Sequence, residues 1–286
     1  MGHGPAPRNQ FSFSRLKTFE QCPLRYRYRY LKGLPEGFRS VESFVGTVVH
    51  EVLEWLYATR RDSADPTPAH SRDELATRWD ERWTGDVAVV RAGRDVDVYR
   101  REAEEMLLRY VTGAFRRDRS STVALEQRFT VPLRGRFRFT GIADRVGRTP
   151  KGRLFVVDYK TSRSLGNSGD YSEGLQAPLY AVCALRHHRS DDALSGYHYL
   201  RHEETRWRRI DRDGCDPLLA RAAALVERAD AATEFPARPG PLCAWCGYNA
   251  ICDAARVPQE LSGGRLLAIR RAPERPLPMS PAPERG

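Results

Sequence analysis

The sequence predicts an α/β fold in which a central mixed sheet is flanked by helices. Segments rich in β-branched and aromatic residues alternate with segments of helical periodicity, and turn residues separate them. Strands are predicted at 122–133, 194–202 and 204–210, a hairpin at 136–161, and helices at 14–22, 41–60, 72–84, 97–118 and 216–232. A chain of 286 residues can bury a substantial core, and we assign 11–256 to one domain.

The composition is basic. Lysine and arginine number 47 against 37 acidic residues, which gives a formal net charge of +10. This surplus suits a polyanionic partner such as DNA, although basic composition also serves solubility alone. The sequence has no apolar run of about 18 residues that would predict a membrane span, and its first ten residues do not resemble a secretory signal. We therefore expect a cytoplasmic protein with reduced cysteines, for which metal ligation is favoured over disulfide formation.

The two ends of the chain and one internal segment differ from the predicted core. Residues 1–10 and the Pro- and Arg-rich tail at 257–286 are predicted to be disordered. Residues 61–120 form a helical insertion that begins with a polar loop at 61–72 and could cover the active site. A second loop, rich in Gly and Ser, is expected at 162–172.

A short helix is predicted near the start of the chain. Ser14 is a plausible N-cap for it, and the helix should end near Cys22 because Pro23 follows.

The hairpin at 136–161 carries the main chemical pattern. A Thr-Pro-Lys-Gly turn joins its two strands. If pairing is symmetric about Lys151, Asp144 lies opposite Asp158, with Cβ atoms about 4.5–5.5 Å apart. Lys160 follows Asp158 by two residues, so strand alternation places it on the same face. The sequence thus predicts two carboxylates and one ammonium group at one point of an apolar hairpin.

This cluster has two interpretations. On a solvated face the acids and the lysine would simply form ion pairs. The segment V-V-D-Y-K-T is apolar on both sides, however, which indicates an interior strand. Buried carboxylates need a compensating cation, and Mg²⁺ or Mn²⁺ prefers oxygen ligands. A lysine beside such an ion could orient or deprotonate water, so the pattern favours metal-assisted phosphodiester hydrolysis.

The segments G-I-A-D-R and V-V-D-Y-K-T resemble the active-site signature of the PD-(D/E)XK nuclease superfamily, and more narrowly that of the RecB-family exonucleases. The resemblance implies a restriction-endonuclease-like core. It also implies that Asp144, Asp158 and the main-chain carbonyl of Tyr159 bind metal, and that Lys160 is catalytic. His50, in G-T-V-V-H-E-V-L, would by periodicity alone be a core histidine, but it resembles the metal-binding histidine of this family.

Three further residues belong to the predicted active site. Pairing across the turn after residue 133 places Glu126 near Asp144, either as an edge carboxylate with an arginine partner or as a further metal ligand. Gln176 and Tyr180 lie at positions i and i+4 and so share one helix face. Alone this is ordinary surface chemistry, but the pair resembles the Q-x-x-x-Y motif of the family and is assigned to catalysis on that basis. Pro178 predicts a kink, or a helix that begins near Gln176.

Three arginines are candidates for contact with nucleic acid. Arg25 and Arg27 alternate with tyrosines, which is typical either of a solvated basic face or of a strip that contacts phosphates. Arg145 follows Asp144 directly and could neutralise a phosphate or form an ion pair with an acid.

Cys243, Cys246 and Cys252 have the spacing C-x2-C-x5-C, which brings several thiolates within reach of one metal centre. Cys22 belongs to a C-P motif that resembles the N-terminal motif of iron–sulfur RecB-like nucleases. In that group one cysteine precedes the nuclease core and three follow it, which implies a [4Fe–4S] cluster that joins the N- and C-terminal segments. Four thiolates would also bind Zn²⁺, so the spacing alone leaves the metal open.

The resemblance implies a metal-dependent DNA exonuclease in repair or recombination. Its close rival is a RecB-like nuclease of CRISPR adaptation, and rivals of other classes are a DNA-end-binding module that does not cleave and a zinc-stapled scaffold protein. The sequence has no G-x-x-x-x-G-K-[ST] motif, so any unwinding is expected from a separate helicase or recombination protein.

Overall fold

The computed structural model describes residues 9–62, 65–165, 174–256 and 270–271. A six-stranded mixed sheet lies at the centre, and helices pack on both of its faces. The predicted α/β fold is confirmed. None of the helices in the described ranges is long and apolar enough to cross a membrane.

The central sheet contains strands from most of the chain. Its members are β1 (Gln10–Ser12), β4 (Ser121–Pro132), β5 (Arg138–Arg148), β6 (Leu154–Lys160), β7 (Asp192–Tyr199) and β8 (Glu204–Asp211). Strand β5 is central: it pairs antiparallel with β4 on one edge, and on the other edge parallel with β1 and antiparallel with β6. Strand β7 then pairs parallel with β6 and antiparallel with β8. A small second sheet joins β2 (Arg39–Ser40), β3 (Val87–Val89) and β9 (Arg270–Arg271).

Helices cover the sheet in two layers. The α-helices are α1 (Phe13–Gln21), α2 (Pro23–Tyr26), α3 (Val41–Arg61), α4 (Pro68–Arg82), α5 (Val96–Tyr110), α6 (Gln176–His188), α7 (Arg212–Asp230) and α8 (Asp253–Arg256). Phe44, Val48 and Val52 lie at helical spacing on α3, and all three are fully buried in one core with α4 and α5. On the other face, α6 and α7 pack over β5, β6 and β7.

The predicted hairpin register is correct. The pairs Arg145↔Val157 and Arg148↔Leu154 are symmetric about Lys151, and the ladder ends one step before Asp144 would face Asp158. Gly152 has a φ of +80°, a conformation that glycine adopts without strain, and its N–H donates to Thr149 O across the turn.

Several predicted boundaries are wrong. Ser12, not Ser14, caps α1, because its side chain accepts a hydrogen bond from Arg15 N at 3.2 Å. Helix α4 begins at Pro68 inside the predicted loop, since Thr67 is an N-cap and proline is favourable in the first helical turn.

The predicted disorder is also wrong in part. Gln10 belongs to β1, and Arg270–Arg271 pairs with β3, which lies within the predicted helical insertion. The predictions for 1–8, for most of the loop at 162–172 and for the remainder of the tail lie outside the described residues.

Candidate active site and cysteine cavity

The candidate active site forms where the edge of β5 changes its partner. Residues 138–140 of β5 pair with β1, and residues 145–148 pair with β6. Asp144 lies between these two stretches. Its Oδ2 accepts a hydrogen bond from Tyr159 N at 2.8 Å, so a side chain takes over a backbone contact at this point. The carboxylate is therefore held in place by the sheet itself.

His50 connects helix α3 to this strand edge. Its Nε2 lies 2.9 Å from the carbonyl oxygen of Tyr159, and its Nδ1 lies 3.4 Å from Asp144 Oδ2. Burial favours the neutral ring, but the Asp144 carboxylate outweighs it and raises the pKa of His50 to about 9. The imidazole ring thus lies between the Asp144 carboxylate and the Tyr159 carbonyl, the two oxygen groups that were predicted to be metal ligands.

Glu126 completes a compact group of ligands. Ligand atoms of His50, Glu126 and Asp144 all lie within 4.8 Å of one another. Glu126 has a φ of +44°, which is unusual for a residue other than glycine, and it interrupts the pairing between Leu125 and Gln127 of β4. Backbone strain of this kind concentrates at functional sites. Burial, and to a smaller extent the nearby Asp144 carboxylate, raises the pKa of Glu126 to about 7.

Asp158 and Lys160 lie beside this group. Asp158 is 2 % exposed, and Lys160 Nζ is 2.6 Å from its Oδ2 and 2.9 Å from Gln176 Oε1. Burial raises the pKa of Asp158, and the Asp144 charge adds to the effect, while Lys160 opposes it. Asp158 is not among the three residues whose ligand atoms all lie within 4.8 Å of one another. Its predicted role as a metal ligand stays a prediction.

Gln176 and Tyr180 extend the site along α6. The helix begins at Gln176, as Pro178 predicted. Tyr180 packs against the backbone of β5, where a Cβ atom added to Gly141 would lie 2.3 Å from the tyrosine ring. The glycine of G-I-A-D-R thus admits Tyr180, a role that sequence reasoning missed although the glycine is visible in the motif.

Tyr197 was also missed. Its hydroxyl oxygen accepts a hydrogen bond from Ala177 N at 3.0 Å in the first turn of α6, and Lys160 Nζ lies 5.2 Å from the centre of its ring. Tyr197 thus fixes the helix that carries Gln176. A tyrosine in a buried strand is typical of an ordinary core, so no sequence signal marks this role.

Arg145 does not face the site. It is 3 % exposed, and its guanidinium donates to Asp118 at 2.7 Å and to Thr122 and Ser120 at 3.0 and 2.8 Å. The predicted contact with nucleic acid is wrong, and the ion-pair alternative applies. The reason is that Asp118, Ser120 and Thr122, on β4 and in the segment before it, accept hydrogen bonds from its guanidinium and hold it in the interior.

Arg25 and Arg27 lie on the first short helices rather than at the acidic site. Arg25 donates to Glu36 Oε1 at 3.1 Å and lines a cavity of about 300 Å³. Arg27 is exposed, with its guanidinium 6.0 Å from the centre of the Phe235 ring. Their predicted contact with nucleic acid stays a prediction.

The cavity beside Arg25 contains the four predicted cluster ligands. Cys22 reaches it from the junction of α1 and α2, and Cys243, Cys246 and Cys252 from two short 3₁₀ turns at Pro241–Trp245 and Asn249–Ile251. All four are free thiols. Burial raises the pKa of Cys246, and the nearby Cys22 and Cys243 add to the rise. The structure thus brings together residues from both ends of the domain.

Cys183 and Cys215 are buried in the core between α6 and α7, away from this cavity.

The sequence matches the family model of the PD-(D/E)XK nuclease superfamily over residues 10–253. The chain belongs to this superfamily. Over 224 residues it is 26 % identical to one subunit of the ATP-dependent helicase/deoxyribonuclease of Streptococcus equi subsp. zooepidemicus, a match that covers 74 % of the chain and 20 % of that protein. The chain thus spans about a fifth of the length of this relative.

A solved structure shares the fold of this superfamily member. A crystal structure of a candidate exonuclease from Eubacterium rectale aligns with a TM-score of 0.50 at 15 % identity, over 90 % of this chain and 91 % of the other. Membership in the PD-(D/E)XK superfamily, together with the acidic site, supports a hydrolytic nuclease.

The donor set fits the divalent metals that PD-(D/E)XK nucleases use. One imidazole nitrogen and the carboxylates of Glu126 and Asp144 converge, and the carbonyl of Tyr159 lies beside them. Oxygen-rich ligation with one histidine suits Mg²⁺ or Mn²⁺. The Asp144 carboxylate raises the pKa of His50 against the effect of burial, whereas burial is the main cause of the raised pKa of Glu126 and Asp144 adds to it.

Proposed function

We propose that the protein is a divalent-metal-dependent DNA exonuclease that hydrolyses phosphodiester bonds. The observation that carries this proposal is the convergence of His50, Glu126 and Asp144 within 4.8 Å, beside the buried Asp158 and its ion-pair partner Lys160. These residues and the carbonyl of Tyr159 would hold Mg²⁺ or Mn²⁺. When bound, the ion would polarise the phosphoryl oxygen and promote ionisation of a water molecule.

Lys160 is the side chain that would act on the water and the phosphate beside the metal. Its ammonium group is held between Asp158 and Gln176, so a single orientation is favoured. In that orientation it can position the attacking water and neutralise charge that develops on the phosphate. Gln176 orients the amine through its side-chain oxygen, and Tyr180 packs against the strand of Asp144.

The test is digestion of end-labelled DNA with Mg²⁺ or Mn²⁺ by the wild type and Asp158→Asn. We expect the wild type to release short products progressively from the ends, and the variant to bind DNA without cutting it. Circular DNA distinguishes the mode of attack, because an exonuclease leaves it intact. A wild type that binds DNA ends but cleaves nothing with either metal would establish instead a nuclease-fold module that does not cleave.

We propose further that the four cysteines hold a [4Fe–4S] cluster. Two sulfurs bound to one zinc ion at about 2.3 Å cannot be more than about 4.6 Å apart. Among the described residues, no three cysteine sulfurs lie within 4.8 Å of one another. All four nevertheless line one cavity of about 300 Å³, an arrangement that suits a four-iron cluster in which each iron binds one thiolate.

Anaerobic purification distinguishes a [4Fe–4S] cluster from a zinc ion at the four cysteines. An iron–sulfur protein should be brown, with broad absorption in the visible range and about four irons per chain. A colourless preparation with one zinc and no iron would overturn the cluster assignment, while the nuclease proposal would stand on its own digestion assay.

The relative from Streptococcus is named as part of a helicase/deoxyribonuclease. On this likeness we propose that the protein acts in DNA repair or recombination with a separate helicase. Co-purification of a tagged copy from its native host would test the partnership, and recovery of the tagged chain without any helicase would count against it.

A further inference from the structure

A groove of about 860 Å³ leads away from the candidate active site. It begins at Lys160 and Gln176 and passes between α1, α7 and the end of β7. Apolar and aromatic side chains form much of its lining, namely Phe13, Leu16, Leu175, Leu225, Tyr197 and Tyr199. A ligand that presents apolar or aromatic surface would be stabilised in this groove by removing the lining from water.

Basic residues stand along the same groove. Lys17 comes from α1, and Arg221 and Arg228 come from α7, against one acid, Glu20. Arg221 and Arg228 are both exposed, seven residues apart and therefore on one side of the helix. Their separation along the axis is about 10 Å, which allows the two side chains to contact different phosphates of one strand.

The guanidinium groups of Arg221 and Arg228 are also available to a ligand. Within the described ranges, no ion pair or hydrogen bond engages the guanidinium of Arg221 or of Arg228. Other arginines of the molecule, such as Arg25, Arg145 and Arg212, have acidic partners. Two cations without an acidic partner among the described residues, beside a groove that ends at the proposed catalytic lysine, suit an anionic ligand.

We propose that this groove binds a single nucleic-acid strand, with bases against the apolar lining and two successive backbone segments against Arg221 and Arg228. The proposal rests on the proposed nuclease function and deepens it. A single strand exposes both its bases and its phosphates, which matches a lining that is both apolar and basic. A duplex hides its bases and offers phosphates alone.

The first test measures binding of a fluorescein-labelled single strand of about 20 nucleotides, in EDTA so that nothing is cleaved, over a series of salt concentrations. The wild type is compared with Arg221→Ala/Arg228→Ala. Each phosphate contact contributes about 0.7 to the slope of log K against log salt for single strands. The double variant should therefore lose about 1.4 from this slope and bind at least 10-fold more weakly at low salt.

Arg212→Ala is the matched control, since Arg212 lies on the same helix, is exposed and does not line the groove. It should keep the wild-type slope. An unchanged slope in the double variant, or an equal loss in the control, would overturn the assignment of Arg221 and Arg228.

The second test separates base contacts from phosphate contacts. An abasic strand of the same length keeps its phosphates and should bind more weakly, with an unchanged dependence on the two arginines. A blunt duplex should bind in a way that these arginines do not affect. Equal affinity for the abasic strand, or duplex binding that depends on Arg221 and Arg228, would rule out a groove for a single strand.

The failure of this proposal and that of the nuclease proposal are distinguishable. If the wild type cleaves DNA but binding does not depend on Arg221 and Arg228, only the groove proposal is wrong. If binding depends on these arginines but no metal-dependent cleavage occurs, only the nuclease proposal is wrong.

Discussion

The acidic site and the cysteine cavity both gather ligands from distant parts of the chain, but the protein holds them differently. In the acidic site, Asp144 and His50 contact the backbone of Tyr159 at 2.8 and 2.9 Å within the central sheet. The cysteines lie instead at the ends of short helical turns near the two ends of the domain. A site built on a sheet can form without its metal, whereas a site built on turns depends on the metal to hold it together.

The comparison has a consequence for metal removal. Loss of the ion from the acidic site should abolish activity and leave the fold intact. Loss of the metal from the cysteine cavity should release the contact between α1–α2 and the segment that follows α7. That contact includes hydrogen bonds from Leu24 N to Pro236 O at 3.3 Å and from Arg238 to the carbonyl of Glu20, and the stacking of Tyr26 on Phe235.

The largest expected effect is that of Asp144→Asn on activity. Asparagine keeps an oxygen for the hydrogen bond from Tyr159 N but removes the charge that attracts the metal. We expect DNA cleavage to fall by at least about 100-fold, with a melting temperature within a few degrees of the wild type. Asp213→Asn, on the exposed first turn of α7, is the control and should cleave normally. A large loss of stability in Asp144→Asn would show that the sheet does not preform the site.

The second effect concerns stability rather than catalysis. Cys22→Ser should lose its metal and melt about 10 °C lower, because a structural metal contributes several kcal/mol to folding and 1 kcal/mol corresponds to about 2–4 °C in a domain of this size. Below that temperature it should still cleave DNA. Cys215→Ser, outside the cavity, should retain the metal. A Cys22→Ser protein that keeps both its metal and its melting temperature would remove Cys22 from the ligand set.

A third effect tests how tightly the acidic site is packed. In Gly141→Ala the new methyl group would overlap the ring of Tyr180, which is 6 % exposed and cannot move into solvent freely. We expect a loss of about 1–3 kcal/mol in the free energy of unfolding, measured by denaturant titration, together with slower cleavage. Gly240→Ala is the control, because a Cβ atom there meets nothing within 4 Å. Equal free energies of unfolding for the two variants would mean that the Tyr180 ring moves away from the new methyl group at little cost.

Sequence alone could predict the hairpin and its register, because turn chemistry and symmetric apolar strands both point to Lys151 as the centre. The nearness of Glu126 to Asp144 follows from the same reasoning. The positive φ of Glu126 does not follow from it, because the residue type gives no sign of that backbone conformation. The burial of Arg145 was also not predictable, because it depends on hydrogen bonds to Asp118, Ser120 and Thr122 that only the packing of β4 against β5 brings into reach.

The cysteine cavity shows a different limit. Spacing predicts that Cys243, Cys246 and Cys252 can approach one centre, but only the fold brings Cys22 to them, through the packing of α1 against α7 and β1 against β5. Local patterns carry such information poorly, because contacts between distant segments depend on the whole topology. The groove beside Arg221 and Arg228 was missed for this reason.

The smallest expected effect distinguishes charge compensation from ligation in the acidic site. The pKa of Glu126 is raised to about 7 from an ordinary value of 4.5, so its ionised form is disfavoured in the folded, metal-free protein. This cost is absent below about pH 4.5 and grows as the pH rises through 7. Glu126→Gln should therefore stabilise the metal-free protein by about 1 kcal/mol at pH 8, after allowance for its partial exposure, and hardly at all at pH 5.

Thermal unfolding with and without Mn²⁺ at both pH values measures this effect. With Mn²⁺ at pH 8 the order should reverse, because the wild type binds the ion more tightly and gains stability by mass action. Glu105→Gln, an exposed change on α5, should follow the wild type throughout. If Glu126→Gln stabilises the protein equally at pH 5 and pH 8, the substitution acts through packing rather than through charge. If Mn²⁺ stabilises Glu126→Gln as much as the wild type, Glu126 is not a ligand.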